Sequence, residues 1–268
     1  YDKNYSSGIS TVQKLVNEFD KISGEICTVG IGIPGFSSKD TGLVTNANSL
    51  WLNDKPFKKD LESALNRDVK LMNDANCFAL SEAIDGAGKD FKSVFGIIIG
   101  TGFGGGLSYK KEIIEGSNQI AGDWGHQPLP YPTIEETKTQ ISCPSNNCGR
   151  ALCAEQFMSG IGFADIFNKK NNTNFNSHEI VELDLKNDPR ANLEFDLYED
   201  RMARLMAVMI GVFDPDAIIL GGGMSNIDRL YKNIPSLLPK YTFSNKVKTK
   251  ILKNIHGDSS GVRGAAWL

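Results

Sequence analysis

The chain has 268 residues, with 29 basic and 32 acidic side chains and a formal net charge of −3. That balance argues against a protein held to nucleic acid by a basic surplus, and 40% apolar residues argue against disorder of the whole chain. No apolar run reaches the roughly 18–20 residues of a membrane span, and the polar start Tyr1-Asp2-Lys3-Asn4-Tyr5 is unlike a signal peptide, so a cytoplasmic protein is expected.

Val12, Leu15, Val16 and Phe19 have helical spacing, which predicts a helix over residues 11–19, ended by Ser23-Gly24. Residues 27–33 read as a strand of small residues stopped by Pro34-Gly35. Residues 56–65 read as a helix with proline in its first turn. A strand over 69–72 ends at Asn73-Asp74, and either residue can cap the next helix, over 75–83. Residues 93–99 form an apolar strand that runs into the glycine-rich stretch 100–106 and returns as another strand, a hairpin pattern. Residues 128–144 are proline-marked and irregular. Residues 153–167 and 193–213 read as helices, 216–220 as a strand feeding Gly221-Gly222-Gly223, and 260–268 as a closing helix. Strands alternating with helices imply an α/β architecture.

Four clusters carry candidate chemistry. Asn73-Asp74 stands at a strand end, where open α/β sheets bind ligands, and a carboxylate there can take a proton from a hydroxyl; from position alone it is equally an ordinary helix cap. Gly100, Thr101 and Gly102 open a glycine run whose backbone N–H groups can approach phosphates, although the run matches no standard phosphate-loop pattern and a tight hairpin explains it as well. Gly221, Gly222 and Gly223 follow an apolar strand and offer a flat backbone to a nucleotide, or simply a turn. His126 with Cys143, Cys148 and Cys153 makes a closed three-thiolate, one-imidazole set of the kind found in structural zinc sites, the alternative being buried free thiols. Asp123 and Glu155 flank that set; by composition they read first as surface charge, although carboxylates of this kind also suit the vicinal hydroxyls of a sugar. His178 and His256 have no such company and read as structural or surface residues. Trp51, Trp124 and Trp267 read as packing residues.

In this order the clusters resemble the ROK family of sugar kinases and repressors. The family signature, Glu-x-Gly-His followed by Cys-x-Cys-Gly-x-x-Gly-Cys-x-Glu, is approached here by Asp123-Trp124-Gly125-His126 and by the run from Cys148 to Glu155. The stretches that carry the resemblance include Asn73 to Ala83, Asp214-Pro215-Asp216, Gly221 to Asn226 and His256 to Trp267, and it is closest to the bacterial ROK fructokinases.

The resemblance implies an actin-like, ribonuclease H-like pair of domains. Residues 1–90 form the smaller, completed by 256–268, and 91–255 form the larger, with the zinc loop. It implies Asp74 as general base; Gly35, Asn73, Asp74, Asp123, His126 and Glu155 around the sugar; Gly100, Thr101, Gly102, Gly221, Gly222 and Gly223 around ATP; magnesium with the nucleotide; structural zinc on His126, Cys143, Cys148 and Cys153; and a homodimer. Three departures stand out. The family's first cysteine falls on Asn146, so Cys143 must bend in to serve. Its first Glu is Asp123, one methylene shorter. Its opening strand and Asp-x-Gly-Gly-Thr phosphate loop have no counterpart, which implies about 35 further residues ahead of Tyr1, supplied by a longer product or a partner chain. The activity expected is ATP-dependent phosphorylation of a hexose, with fructose to fructose 6-phosphate foremost. Glucose or an N-acetylhexosamine is the alternative within the family, and a non-catalytic sugar sensor or an inactive fragment the alternative outside catalysis.

Overall fold

A computed structural model describes residues 4–139, 141–144 and 148–268. Helix α1 (Tyr5–Ser23) is capped by Asn4, whose side chain accepts the Ser7 N–H, and closed by Gly24 in the left-handed region. Its packed face is rotated from the predicted stripe. Tyr5, Ile9, Val12 and Val16 meet the core, whereas Leu15 and Phe19 stay exposed.

Strand β1 (Val29–Ile33) is followed by a short hairpin of β2 (Phe36–Ser37) and β3 (Val44–Thr45), then α2 (Phe57–Leu65), β4 (Val69–Asn73) and α3 (Asp74–Ile84). Pro56 precedes α2 as its N-cap rather than lying in its first turn. β1 and β4 pair in parallel, with Ile33 beside Asn73. That register sets the Pro34-Gly35 turn against the start of α3.

The second sheet is formed by β5 (Ser93–Ile99), β6 (Phe103–Tyr109), β7 (Glu112–Ile113), β8 (Ala217–Gly221) and β9 (Lys250–Lys253), in the order β7-β6-β5-β8-β9. β5 and β6 are the predicted hairpin, closing at Ile99 opposite Phe103 with Gly100, Thr101 and Gly102 as its turn. β8 lies parallel to β5 with Gly221 beside Ile98. Both glycine stretches therefore leave the sheet at the same end.

The remaining helices are α4 (Ile134–Thr137), α5 (Ala154–Met158), α6 (Gly160–Asn171), α7 (Ser177–Leu185), α8 (Pro189–Phe213), α9 (Asp228–Leu237) and α10 (Ser260–Ala266). Two differ from expectation. The predicted helix over 153–167 breaks at Ser159, whose extended backbone (φ −68°, ψ 155°) caps α6 through its hydroxyl. The stretch expected to be irregular contains α4, held by a reciprocal capping box between Thr133 and Glu136. Phe157 and Leu205 are core residues. So is Trp124, which packs on Phe95 and Phe103, whereas Trp267 is half-exposed.

α3 joins the two sheets. Its Phe78 and Ala83 pack with Val94 and Ile219 of the larger sheet, and α10 lies across it. A Cβ at Gly264 of α10 would fall 1.7 Å from the Cys77 carbonyl of α3, so only glycine permits this approach. Ser260 donates to the fully buried Glu82 of α3 at 2.7 Å, and His256 and Arg263 both meet Asp85.

A buried ion cluster fixes the segment leading to Cys143. Glu136 accepts from Arg201 at 2.8 Å and from Arg204 at 2.7 Å, and Arg204 also donates to the Pro130 and Tyr131 carbonyls. Burial alone would raise the Glu136 carboxyl. The Arg204 contact, the Thr133 N–H and Arg201 outweigh burial and hold it at about 2, below its ordinary 4.5. Its contribution to stability is therefore complete above pH 4.5 and is lost as pH falls toward 2. Glu136→Gln removes one of the carboxylates facing two buried guanidinium groups, leaving Arg201 with Glu194 and Arg204 with Asp200, and urea unfolding at pH 7 is expected to show a loss of about 1–3 kcal/mol.

Candidate active site

The end of β4 builds one side of the site. Asn73 caps α3, its Oδ1 accepting the N–H groups of Ala75 (3.0 Å) and Asn76 (3.3 Å), while its Nδ2 donates to the Gly35 carbonyl at 3.1 Å. Of the two candidate caps, Asn73 takes the role, and its amide also ties down the Pro34-Gly35 turn. Gly35 has φ +87°, and a Cβ there would lie 2.4 Å from the Thr45 carbonyl. Asp74, next along, occupies the first turn of α3 and is open to solvent on one side, with Oδ1 accepting the Ala75 N–H at 2.8 Å. The surrounding protein desolvates its carboxylate and raises its pKa. The Ala75 N–H works against that rise, and the charge of Asp123 adds to it. Asp123 and Asp74, 49 positions apart in sequence, are thus brought near enough for their charges to interact.

Gly100, Thr101 and Gly223 line a cavity whose walls include none of Gly35, Asn73, Asp74, Asp123, His126 and Glu155. This cavity of about 710 Å³ is bounded by Gly100 and Thr101, by Gly223, Met224 and Ile227, and by the first turns of α6 and α7. That volume is ordinary for a small-molecule site. α6 begins at Gly160, whose N–H donates to the Gly100 carbonyl at 2.8 Å, and α7 begins after its cap Asn176. Two helix N-termini point their positive dipole ends toward the cavity lining and favour an anionic ligand. Gly221 and Gly222 do not bound the cavity. A Cβ at Gly221 would strike the Phe78 ring and one at Gly222 the Ile99 carbonyl, each at 2.5 Å, so both serve close packing. Gly102 faces Glu155. Asp165, Asn176, Ser177 and His178 also line the cavity. Sequence reading passed over them, and a polar helix start after an Asn cap was the available signal.

His126, Cys143, Cys148 and Cys153 bring one ligand atom each to within 4.8 Å of one another. The Cys148–Cys153 sulfur separation is 3.5 Å, and His126 Nδ1 lies 3.4 Å from Cys153 Sγ and 4.0 Å from Cys143 Sγ. Tetrahedral zinc places two thiolates about 3.8 Å apart, and a thiolate and an imidazole about 3.6 Å apart, so the set fits that ion. Cys143 does reach the cluster; Asn146 lies outside the described residues. Glu155, buried just beyond Cys153, accepts the Phe103 N–H at 3.1 Å and lies 3.6 Å from Cys143 Sγ. It connects the cluster to the glycine turn.

Comparison with known proteins follows the same lines. The model of the ROK family matches residues 2–268. A Vibrio cholerae protein described as N-acetyl-D-glucosamine kinase is 38% identical over 268 residues, covering 99% of this chain and 88% of that protein. A Haemophilus influenzae protein of the same description is 37% identical over 269 residues, with the same coverage. Among solved structures, a ROK hexokinase from Thermus thermophilus matches with a TM-score of 0.83 at 22% identity, over 98% of this chain and 85% of that one. A ROK family glucokinase from Streptomyces griseus, in complex with glucose and AMPPNP, matches with a TM-score of 0.79 at 24% identity, over 98% and 87%. No helix among the described residues is long and apolar enough to cross a membrane.

Proposed function

The chain belongs to the ROK family of sugar kinases and has its actin-like, ribonuclease H-like α/β fold, and from that premise we propose that it phosphorylates N-acetyl-D-glucosamine with Mg-ATP. The observation that carries the reading is Asp74, a carboxylate raised above its ordinary pKa at the first turn of α3, near Asp123. The sugar differs from the fructose expected from sequence. The amino sugar is favoured because curated relatives 37–38% identical over nearly the whole chain are described as N-acetyl-D-glucosamine kinases.

Asp74 takes the proton of the sugar's 6-hydroxyl as that oxygen attacks the γ-phosphorus in line, and ADP leaves with the electrons of the broken P–O bond. Asp123, Glu155 and His126 orient the sugar, and Asn73 holds the Gly35 turn against it. Gly100, Thr101 and Gly102 face the phosphates, and Gly223 with the starts of α6 and α7 encloses the nucleoside. Magnesium, carried in on ATP, offsets the phosphate charge. Residues 1–90 with 256–268 and residues 91–255 act as two lobes that close on the substrates. Zinc on His126, Cys143, Cys148 and Cys153 is structural, fixing the loop ahead of Glu155.

The test is a coupled assay of ADP release on four sugars. N-acetyl-D-glucosamine is expected to exceed glucose, mannose and fructose in kcat/KM by at least about tenfold, because a site that hydrogen-bonds the acetamido group leaves polar groups unpaired with the others. Fructose as the fastest substrate would return the reading to a fructokinase.

A further inference from the structure

The β2–β3 hairpin carries the Gly35 turn, and the loop after β7 carries Asp123. The two segments meet at Gln119. Its Oε1 accepts the Lys39 N–H at 2.8 Å, and its Nε2 donates to the Ser37 carbonyl at 2.9 Å. Lys39 Nζ adds an exposed contact with Glu115 at 3.4 Å. A primary amide offers one acceptor and one donor edge, and here both edges read the backbone of a single turn. Gln119 is half-buried and sits in the left-handed region at φ 57°. The loop around it is tied internally: Gln119 N–H donates to the Gly116 carbonyl, Ala121 N–H to Glu115, and Asp123 N–H to Ile120. The hairpin therefore docks on a firm partner. Ser37 is two residues from Gly35, and Gln119 is four from Asp123.

We infer that Gln119 is a positioning residue for the sugar, a latch that holds the Gly35 turn against the Asp123 loop before substrate arrives. The inference rests on the sugar-kinase reading above, since Gly35 and Asp123 are the groups placed at the sugar. A site assembled in only a fraction of molecules binds more weakly in proportion to that fraction. Losing the latch lowers the fraction and raises the sugar KM. Bound sugar restores closure, so kcat is kept. The nucleotide cavity is lined by other elements, so the ATP KM is kept as well.

The experiment is steady-state kinetics of the intact protein with N-acetyl-D-glucosamine and Mg-ATP, for wild type, Gln119→Ala and Gln119→Glu, alongside hydrogen exchange at the Lys39 amide. For Gln119→Ala the sugar KM is expected to rise about tenfold with kcat within about twofold, the ATP KM unchanged and the Lys39 amide exchanging faster. Gln119→Glu keeps the acceptor and the chain length but sets a carboxylate oxygen against the Ser37 carbonyl, so its sugar KM is expected to rise at least as far; it also carries the test if the alanine variant is poorly folded. An unchanged sugar KM in a folded variant overturns the latch, as does a proportional fall of kcat with a rise in both KM values. If wild type phosphorylates none of the four sugars, the kinase reading falls and the latch with it; an active wild type beside unaffected variants overturns the latch alone.

Discussion

Asp74→Asn is expected to lower kcat on the sugar by about 10²–10⁴-fold while the sugar KM changes little, the signature of a lost general base. Asparagine keeps the shape of the side chain and can still accept the Ala75 N–H through its amide oxygen, so the start of α3 is preserved. What is lost is the ability to hold a proton. The environment of Asp74 adds a pH signature. Desolvation, then the charge of Asp123, raise the carboxyl above its ordinary 3.8 against the pull of the Ala75 N–H. The base must be ionised to work. The acid limb of kcat/KM therefore falls above the usual carboxylate range, and activity rises with pH through it. Near-native turnover in the folded variant would remove Asp74 from the chemistry.

Removing the metal is expected to have the largest effect on stability. His126, Cys143, Cys148 and Cys153 come from four separate points of a long connection, which an ion bound by all four would cross-link. Its anchors are the Leu129–Leu152 and Gln127–Ala154 backbone bonds and the Glu136 ion cluster. A structural zinc supplies folding energy directly. Elemental analysis is expected to find about one zinc per chain, and Cys153→Ser or chelation is expected to lower Tm on the order of 10 °C. Glu155 ties the cluster to Phe103 beside the glycine turn, so activity falls with the metal. A metal-free protein that melts at the wild-type temperature would refute the zinc assignment.

What could be read from the sequence was what is locally encoded. Asn73-Asp74 after an apolar strand announced a strand end, a cap and a carboxylate together, and the apolar run 93–99 entering the glycine stretch 100–106 announced the hairpin. The break at Ser159 was hidden because helix propensity runs on through residues 153–167; what interrupts it is tertiary, the docking of Gly160 N–H on the Gly100 carbonyl. The Thr133–Glu136 capping box was present in sequence, but the surrounding prolines masked it. His178 and Asp165 carry no motif, and only the meeting of α6 and α7 beside the glycine turn brings them to the cavity. Gln119 is invisible for the same reason, since its partners are backbone atoms about 80 residues away. The identity of the sugar was the least legible, because carboxylates such as Asp123 and Glu155 suit hydroxyls, which all hexoses share.

The most direct test of the account is to incubate the intact protein with Mg-ATP and N-acetyl-D-glucosamine and to identify the sugar product by mass spectrometry, with Asp74→Asn as the control. The expected product is the 6-phosphate of the amino sugar with stoichiometric ADP, and none above background from the variant. A folded, zinc-loaded protein that transfers no phosphate to this or any other hexose would contradict it.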